Sequence, residues 1–361
     1  MINKKSKEIG SYFDINPLDL EIKIVDKKFE PFGNAAYLST CRSAINLVLK
    51  KASFNNRIAL LPGFTCHAVV EPFVKNGFRV VPYQVSSNLE IDIDEFKKTL
   101  KEQHPSVILF HDYFGFDSNE KIRHSGLIEQ LINDGIVIIN DQTQSMFSLY
   151  DPLPANYYLG SIRKWIGIPD GAYLKGLNVD KFKSDILLEE VKVRAMVYKH
   201  KYLFADIGTK AEVLSNYRKA EDVLDSREQG FAISETSKKL IGQCDIENLR
   251  KKRRENAQML LDILTKCEEV YCPFESVRSN EVPFHLPILV KNSRKEFQTY
   301  LAMNNVFATV IWGCPNELKT QINTKTRSIY NEILCIPCDQ RYSKEDMKYI
   351  CNLIENYNWE N

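Results

Sequence analysis

Two side chains, an amine and a carboxylate, stand where the chain pattern places successive strand ends. Asp141 closes the apolar run Ile136-Val137-Ile138-Ile139-Asn140, and Lys164 lies in Ser161-Ile162-Arg163-Lys164-Trp165. Taken singly, such a lysine is ordinarily a solvated cation and such an aspartate ordinarily caps the next turn. Their order on one sheet says more. An amine can form a Schiff base with an aldehyde, and a carboxylate at a neighbouring strand end can hold a pyridinium nitrogen. Together these are the protein's share of a pyridoxal phosphate (PLP) site.

Further parts fall near strand ends, where open α/β sheets bind ligands. Ser39-Thr40-Cys41-Arg42-Ser43 precedes a helical pattern. Its backbone N–H groups and the positive end of the helix dipole suit a phosphate, with the Ser43 hydroxyl and Arg42 guanidinium as additions. The same segment also reads as an ordinary helix cap. Ser161 offers a second hydroxyl toward the same phosphate, and Gln144 stands three residues after Asp141, within reach of a ring oxygen or equally a plain turn amide. Lys164, once displaced from the cofactor, would be the base that moves a proton at the substrate carbon.

The elements that must position these groups read as an α/β chain. Apolar runs at 57–61, 78–83, 107–110 and 136–141 alternate with helical patterns at 40–53, 66–75, 92–102 and 120–133, Thr65 being read as the cap of the second. This is the signature of a mostly parallel central sheet flanked by helices. Two more strands, 157–161 and 171–175, flank the Lys164 turn, and residues 182–220 read as helical. Asp245 opens a long helix to about Cys267, and a capping box at Ser343-Lys344-Glu345-Asp346 starts the last one. The expected organisation is a large α/β domain over residues 1–240 and a small C-terminal α+β domain over residues 241–361.

The 48 basic and 47 acidic residues leave a net charge of +1, so there is no electrostatic footprint for nucleic acid. The run Lys251-Lys252-Arg253-Arg254 reads as a solvated helix face. The N-terminal Met1-Ile2-Asn3-Lys4-Lys5 is charged with no apolar stretch after it, and no segment has the length a bilayer crossing needs, which points to a cytoplasmic protein. Nine scattered cysteines suit a reducing compartment, and Cys335-Ile336-Pro337-Cys338 reads as buried thiols; no metal site is expected.

The chain resembles the DegT/DnrJ/EryC1/StrS family, sugar aminotransferases of PLP fold type I, over most of its length. Leu38-Ser39-Thr40-Cys41-Arg42-Ser43-Ala44-Ile45 is similar to the family's phosphate-binding Gly-Thr-x-Ala-Leu, and Leu61-Pro62-Gly63-Phe64-Thr65 to its Pro-x-x-Thr turn. Asn140-Asp141-Gln142-Thr143-Gln144-Ser145 resembles Glu-Asp-Ala-Ala-Gln, and Tyr113-Phe114-Gly115 falls at a Tyr-Gly turn. Ser215-Asn216-Tyr217-Arg218 resembles Gly-x-Asn-Tyr-Arg, whose Asn reaches the phosphate across a dimer interface. The sequence departs from the pattern at Cys66, where typical members carry an aromatic that stacks on the pyridine ring, and His67 beside it is the candidate replacement. Cys41 and Arg42 stand in place of Gly-Thr, and the usual Ser-Phe-His-x-x-Lys approach is replaced by Leu159-Gly160-Ser161-Ile162-Arg163-Lys164.

The resemblance implies a homodimeric, PLP-dependent aminotransferase with Lys164 and Asp141 catalytic and Gln144, Cys41, Arg42, Ser43, Ser161, Cys66, His67 and Asn216 around the cofactor. It further implies an amino-acid donor, most often glutamate, and a nucleotide-linked keto sugar as acceptor, with no nucleic-acid or membrane partner. Tyr113, His285 and Trp312 are candidates to line the sugar cleft, and core packing accounts for each as well. The rival readings are a dehydratase, lyase or non-sugar aminotransferase of the same fold, a catalytically idle PLP-binding protein, and an α/β protein without cofactor.

Overall fold

The computed structural model describes residues 8–21, 31–179, 182–227 and 230–359; the charged N-terminal run lies outside them. The strands are β1 (Ala36–Leu38), β2 (Ile58–Pro62), β3 (Arg79–Tyr83), β4 (Val107–His111), β5 (Val137–Asp141), β6 (Tyr157–Gly160), β7 (Ala172–Lys175), β8 (Val270–Tyr271), β9 (Leu286–Val290) and β10 (Ile333–Ile336). They are shared between two compact units, one of Met1–Ser11, Ser53–Asn156 and Ile246–Asn361, the other of Tyr12–Ala52 and Tyr157–Asp245.

In the first unit β5, β4, β2 and β3 run parallel in that order. Every residue of β4, Val-Ile-Leu-Phe-His, is buried, as a strand covered on both faces requires. Pro82 is tolerated because β3 borders only β2, so its missing N–H removes no ladder bond on the open side. Register pairs His111 with Asp141, the last residues of β4 and β5. Helices His67–Lys75 and Ile93–Gln103 pack on β3, and Leu127–Asn133 on β5.

The same unit carries the antiparallel β10-β9-β8 sheet with helices Ile246–Leu264 and Lys344–Glu355 packed together. The Ser343–Asp346 capping box is present as expected. Arg253 corrects the reading of a solvated basic face. The helical period puts it on the buried stripe of Leu249, Asn256, Ala257 and Leu260, where Nε donates to Gln340 Oε1 (2.8 Å) and Nη1 to the Phe284 carbonyl (2.8 Å). Cys335 and Cys338 are buried.

In the second unit β1, β7 and β6 pair antiparallel, and helix Cys41–Lys51 packs across them. Helices Ile186–Phe204 and Lys210–Asp225 lie against each other. The single helical run read over 182–220 is thus two helices. Asp206 (φ 53°) and Gly208 (φ 83°) turn the chain between them, and Thr209 starts the second with its own capping box. The run at 120–133 is likewise divided, by Gly126 at φ 72°, into Glu120–Arg123 and Leu127–Asn133. Helices Thr324–Glu332 and Glu235–Gly242 were not legible, being short and rich in polar residues. Among the described residues no helix is long and apolar enough to cross a membrane.

Asp170, fully buried before β7, accepts from the Ser234 hydroxyl (2.6 Å) and backbone N–H (3.1 Å) and from the Ser237 hydroxyl (2.5 Å). Burial outweighs these bonds and raises its carboxyl from 3.8 to about 6. The folded chain therefore holds a proton that the unfolded chain releases, and the stability this contributes is fully present below pH 3.8 and lost as pH rises through about 6. Asp170→Asn is expected to flatten that part of the profile, measured as urea midpoint against pH.

Candidate active site

Asp141 is 4% exposed at the carboxyl end of β5, and the register fixes its neighbour. His111 Nδ1 lies 3.4 Å from its Oδ2, and the Thr143 amide donates to its Oδ1 at 2.9 Å. Burial pushes the Asp141 carboxyl up, but His111 and Thr143 together outweigh it and bring it below the ordinary range. His111 Nε2 in turn lies 2.7 Å from the Thr65 hydroxyl. Asp141, His111 and Thr65 thus form a carboxylate–imidazole–hydroxyl chain across three strand ends.

Thr65 therefore does not cap the following helix. That helix begins one residue later, at His67, with Cys66 as an N-cap whose side chain makes no capping bond. The Thr65 amide donates to Tyr330 Oη (2.8 Å), and Tyr330 O–H points to the Gly63 and Thr65 carbonyls (2.9 Å each). Tyr113 O–H donates to the Phe64 carbonyl at 2.6 Å. The turn after β2 is thus fastened on both sides. The Trp312 ring lies 5.4 Å from His111 and 5.0 Å from Phe64. His285 packs edge-on against Phe284, 4.5 Å between ring centres. Cys66 is half-buried and His67 exposed.

Gln144 is buried and its Oε1 accepts from the Phe114 amide at 3.0 Å, which fixes the orientation of its amide. Phe114 and Gly115 both have positive φ, and a Cβ on Gly115 would fall 1.9 Å from the Val282 carbonyl oxygen, so only glycine fits. Asp112, one residue after His111, shows the opposite protonation balance to Asp141. Burial, with Asp117 nearby, raises its carboxyl despite bonds from Asn119, Asn140 and Ser145.

In the second unit Lys164 ends the 3₁₀ turn Ile162–Lys164 between β6 and β7, half-buried, with Trp165 fully buried behind it. Gly171 joins this turn to the candidate phosphate segment. Its N–H donates to the Ser39 carbonyl (2.8 Å) and its carbonyl accepts from the Arg163 N–H (3.3 Å). Residues 39–43 and 161–164 are thereby brought together. Thr40 is the N-cap of helix Cys41–Lys51, accepting from the Ser43 amide at 3.1 Å, with the two hydroxyl oxygens 2.8 Å apart. Ser43 and Ser161 are buried and Cys41 half-buried. Arg42 is turned to Asp225, 2.9 Å away. Asn216 is half-buried on helix Lys210–Asp225, next to Tyr217, whose O–H donates to the Phe13 carbonyl.

Residues 243–355 match the sequence profile of the DegT/DnrJ/EryC1/StrS aminotransferase family. The chain is also similar along most of its length to solved structures. These include sugar aminotransferase CalS13 from Micromonospora echinospora (13% identity, 96% of this chain and 99% of that one, TM-score 0.67). They include the Helicobacter pylori aminotransferase PseC, involved in pseudoaminic acid biosynthesis (14%, 97% and 98%, 0.65). A third is a DegT DnrJ EryC1 StrS aminotransferase from Brucella abortus (15%, 95% and 91%, 0.62). No curated protein sequence matches. The fold is that of PLP fold type I aminotransferases, as the sequence resemblance implied.

His111, Thr65 and Tyr330 were not among the sequence-based candidates. The signal for His111 was present, since it closes an apolar run as Asp141 does; Thr65 stood out only as the end of the Pro-x-x-Thr turn and as a helix cap, and nothing in the sequence marked Tyr330.

Replacing Tyr330 by Phe removes the hydroxyl that binds the Gly63–Thr65 turn and should cost about 1–2 kcal/mol in urea unfolding at pH 7. His111→Phe should raise the Asp141 carboxyl. In the native protein that group stabilises the fold above pH 3.8, a contribution lost as pH falls below it. Acid unfolding of the variant should therefore begin at higher pH than in the wild type, read by circular dichroism.

Proposed function

We propose that the chain is a PLP-dependent aminotransferase that takes an amino group from an amino acid, glutamate, and delivers it to a keto sugar carried on a nucleotide. The observation that carries this reading is Asp141, a buried carboxylate kept ionised by His111 at the carboxyl end of a parallel sheet in a chain of this fold. An ionised carboxylate in such a place suits a protonated ring nitrogen.

Within each unit the residues present have the chemistry the cofactor would need. Asp141 would hold the pyridine nitrogen, and the Gln144 amide nitrogen would face the ring oxygen. Ser43, Ser161 and the first amides of helix Cys41–Lys51, at Cys41 and Arg42, would hold the phosphate. Lys164 would hold the aldehyde carbon through Nζ, with Cys66 and His67 alongside the ring and Asn216 completing the phosphate contacts in a homodimer. Bound PLP supplies an electron sink for a carbanion at the substrate carbon. The chain's own work is then to orient and to move one proton. Asp141, oriented by His111 and through it by Thr65, would keep the ring nitrogen protonated. Lys164 Nζ, when free, would take the proton from the amino-acid carbon and return it on the cofactor side. In the same reading residues 1–240 form the PLP-binding domain and 241–361 the smaller one, in a cytoplasmic enzyme.

The test is to incubate the PLP-loaded protein with glutamate and then with a panel of nucleotide keto sugars, following the visible spectrum as amine is loaded and discharged. Lys164→Ala should abolish turnover and Asp141→Asn should lower it by roughly 10²-fold or more. A protein that binds no PLP, or that loads amine and discharges it to no sugar, would refute the reading.

A further inference from the structure

Helix Lys210–Asp225 carries two carboxylates one turn apart, each meeting a basic residue of its own unit. Asp225 pairs with Arg42. Glu221 Oε1 accepts from Lys192 Nζ and stands 3.9 Å from Arg163 Nη1. Arg163 immediately precedes Lys164 in the same 3₁₀ turn. Lys192, on the neighbouring helix Ile186–Phe204, is only 3% exposed. A buried ammonium in this setting requires an anion, because an unpaired charge there is strongly disfavoured.

The charges of the cluster respond to one another. Burial raises Glu221, but Arg163, Lys192 and Lys164 bring its carboxyl below the ordinary range. Burial first and Arg163 second pull the Lys192 ammonium down to about 8, against the opposing effect of Glu221 and Asp225. Tyr12 is raised first by burial and then by Glu221, and lowered by Arg218 and Arg163. Two cations thus meet Glu221 directly, and the amine of the lysine turn adds to their effect on its charge.

We propose that Glu221 is a positioning residue for Lys164: by bridging Arg163 and Lys192 it fixes the lysine turn and supplies the anion that balances the cations beside the reactive amine. This rests on Lys164 as the cofactor-anchoring lysine. An amine that must alternate between protonated and neutral forms responds to each unit charge nearby. Without Glu221 it would face Arg163 and Lys192 uncompensated, and its protonated form would be disfavoured.

The experiment is a pH titration of the visible band of the PLP-loaded full chain, whose midpoint reports the proton on Lys164 Nζ, with borohydride labelling and peptide mass spectrometry to identify the modified lysine. Glu221→Gln should lower the midpoint by about one pH unit. Lys192→Met, which removes a cation and leaves the carboxylate, should raise it. The double variant Lys192→Met/Glu221→Gln removes one charge of each sign and should bring it back toward wild type. Glu221→Asp should rescue part of the shift. A midpoint unmoved in both single variants, even with a lowered melting temperature, overturns the proposal, since a purely structural role predicts that result. Should Glu221→Gln not fold, the upward shift of Lys192→Met remains decisive. A wild-type protein that takes no label at Lys164 overturns the aminotransferase reading instead, and the two failures are distinct.

Discussion

A carboxylate in a nearly water-free place persists in its charged form only if something beside it favours the charge. For Asp141 that is His111, and the pairing follows directly from strand register, since each is the last residue of its strand and the two are cross-strand partners. A slip of one residue between β4 and β5 would send one of the two side chains to the opposite face and leave the carboxylate buried alone. The apolar strand interiors, Val107–Phe110 and Val137–Ile139, prevent that slip because both faces are covered and each residue has a packed place. Core packing here is what sets a protonation state.

The chain of contacts behind His111 extends the same constraint outward. Thr65 can meet Nε2 only if the turn after β2 is held, and that turn is held by two phenols, Tyr113 from the segment after β4 and Tyr330 from helix Thr324–Glu332. Tyr113 itself stands before two residues of positive φ, and Gly115 lies against the Val282 carbonyl with no room for a side chain. The stretch Tyr113-Phe114-Gly115 thus has a backbone reason beyond its likeness to a Tyr-Gly turn. Asp112 shows what happens one residue away without an imidazole: three neutral partners, and burial prevails.

Legibility in the sequence followed the physics of each element. Strands with continuous apolar runs, and helices opened by Thr40, Asp92 or Ser343, were readable because burial and capping are local and mark their own residues. The ends of those strands were readable too, which is why Asp141 and the Lys164 turn stood out. Partners brought together from distant positions were not readable. Tyr330 lies 265 residues from Thr65 in sequence. Arg253 was misread because its run of four basic residues looks solvated, whereas the helical period assigns one of the four to the core. Thr65 was misread because a hydroxyl before a helix caps it unless a stronger partner claims it, and that partner comes from another strand.

At 13–15% identity to the solved aminotransferases named above, few side chains remain in common, yet the fold is retained. The lysine turn and the segment before helix Cys41–Lys51 show how this is possible. Cys41 and Arg42 replace Gly-Thr, but what begins that helix is Thr40, whose hydroxyl accepts from the Ser43 amide. What ties the segment to the lysine turn is the backbone of Gly171, donating to Ser39 and accepting from Arg163. Neither function depends on the side chains that changed. A turn located by main-chain bonds tolerates wide substitution because the groups that position it are the same in every residue. Side chains meet side chains instead where Arg42 meets Asp225 and Arg163 meets Glu221.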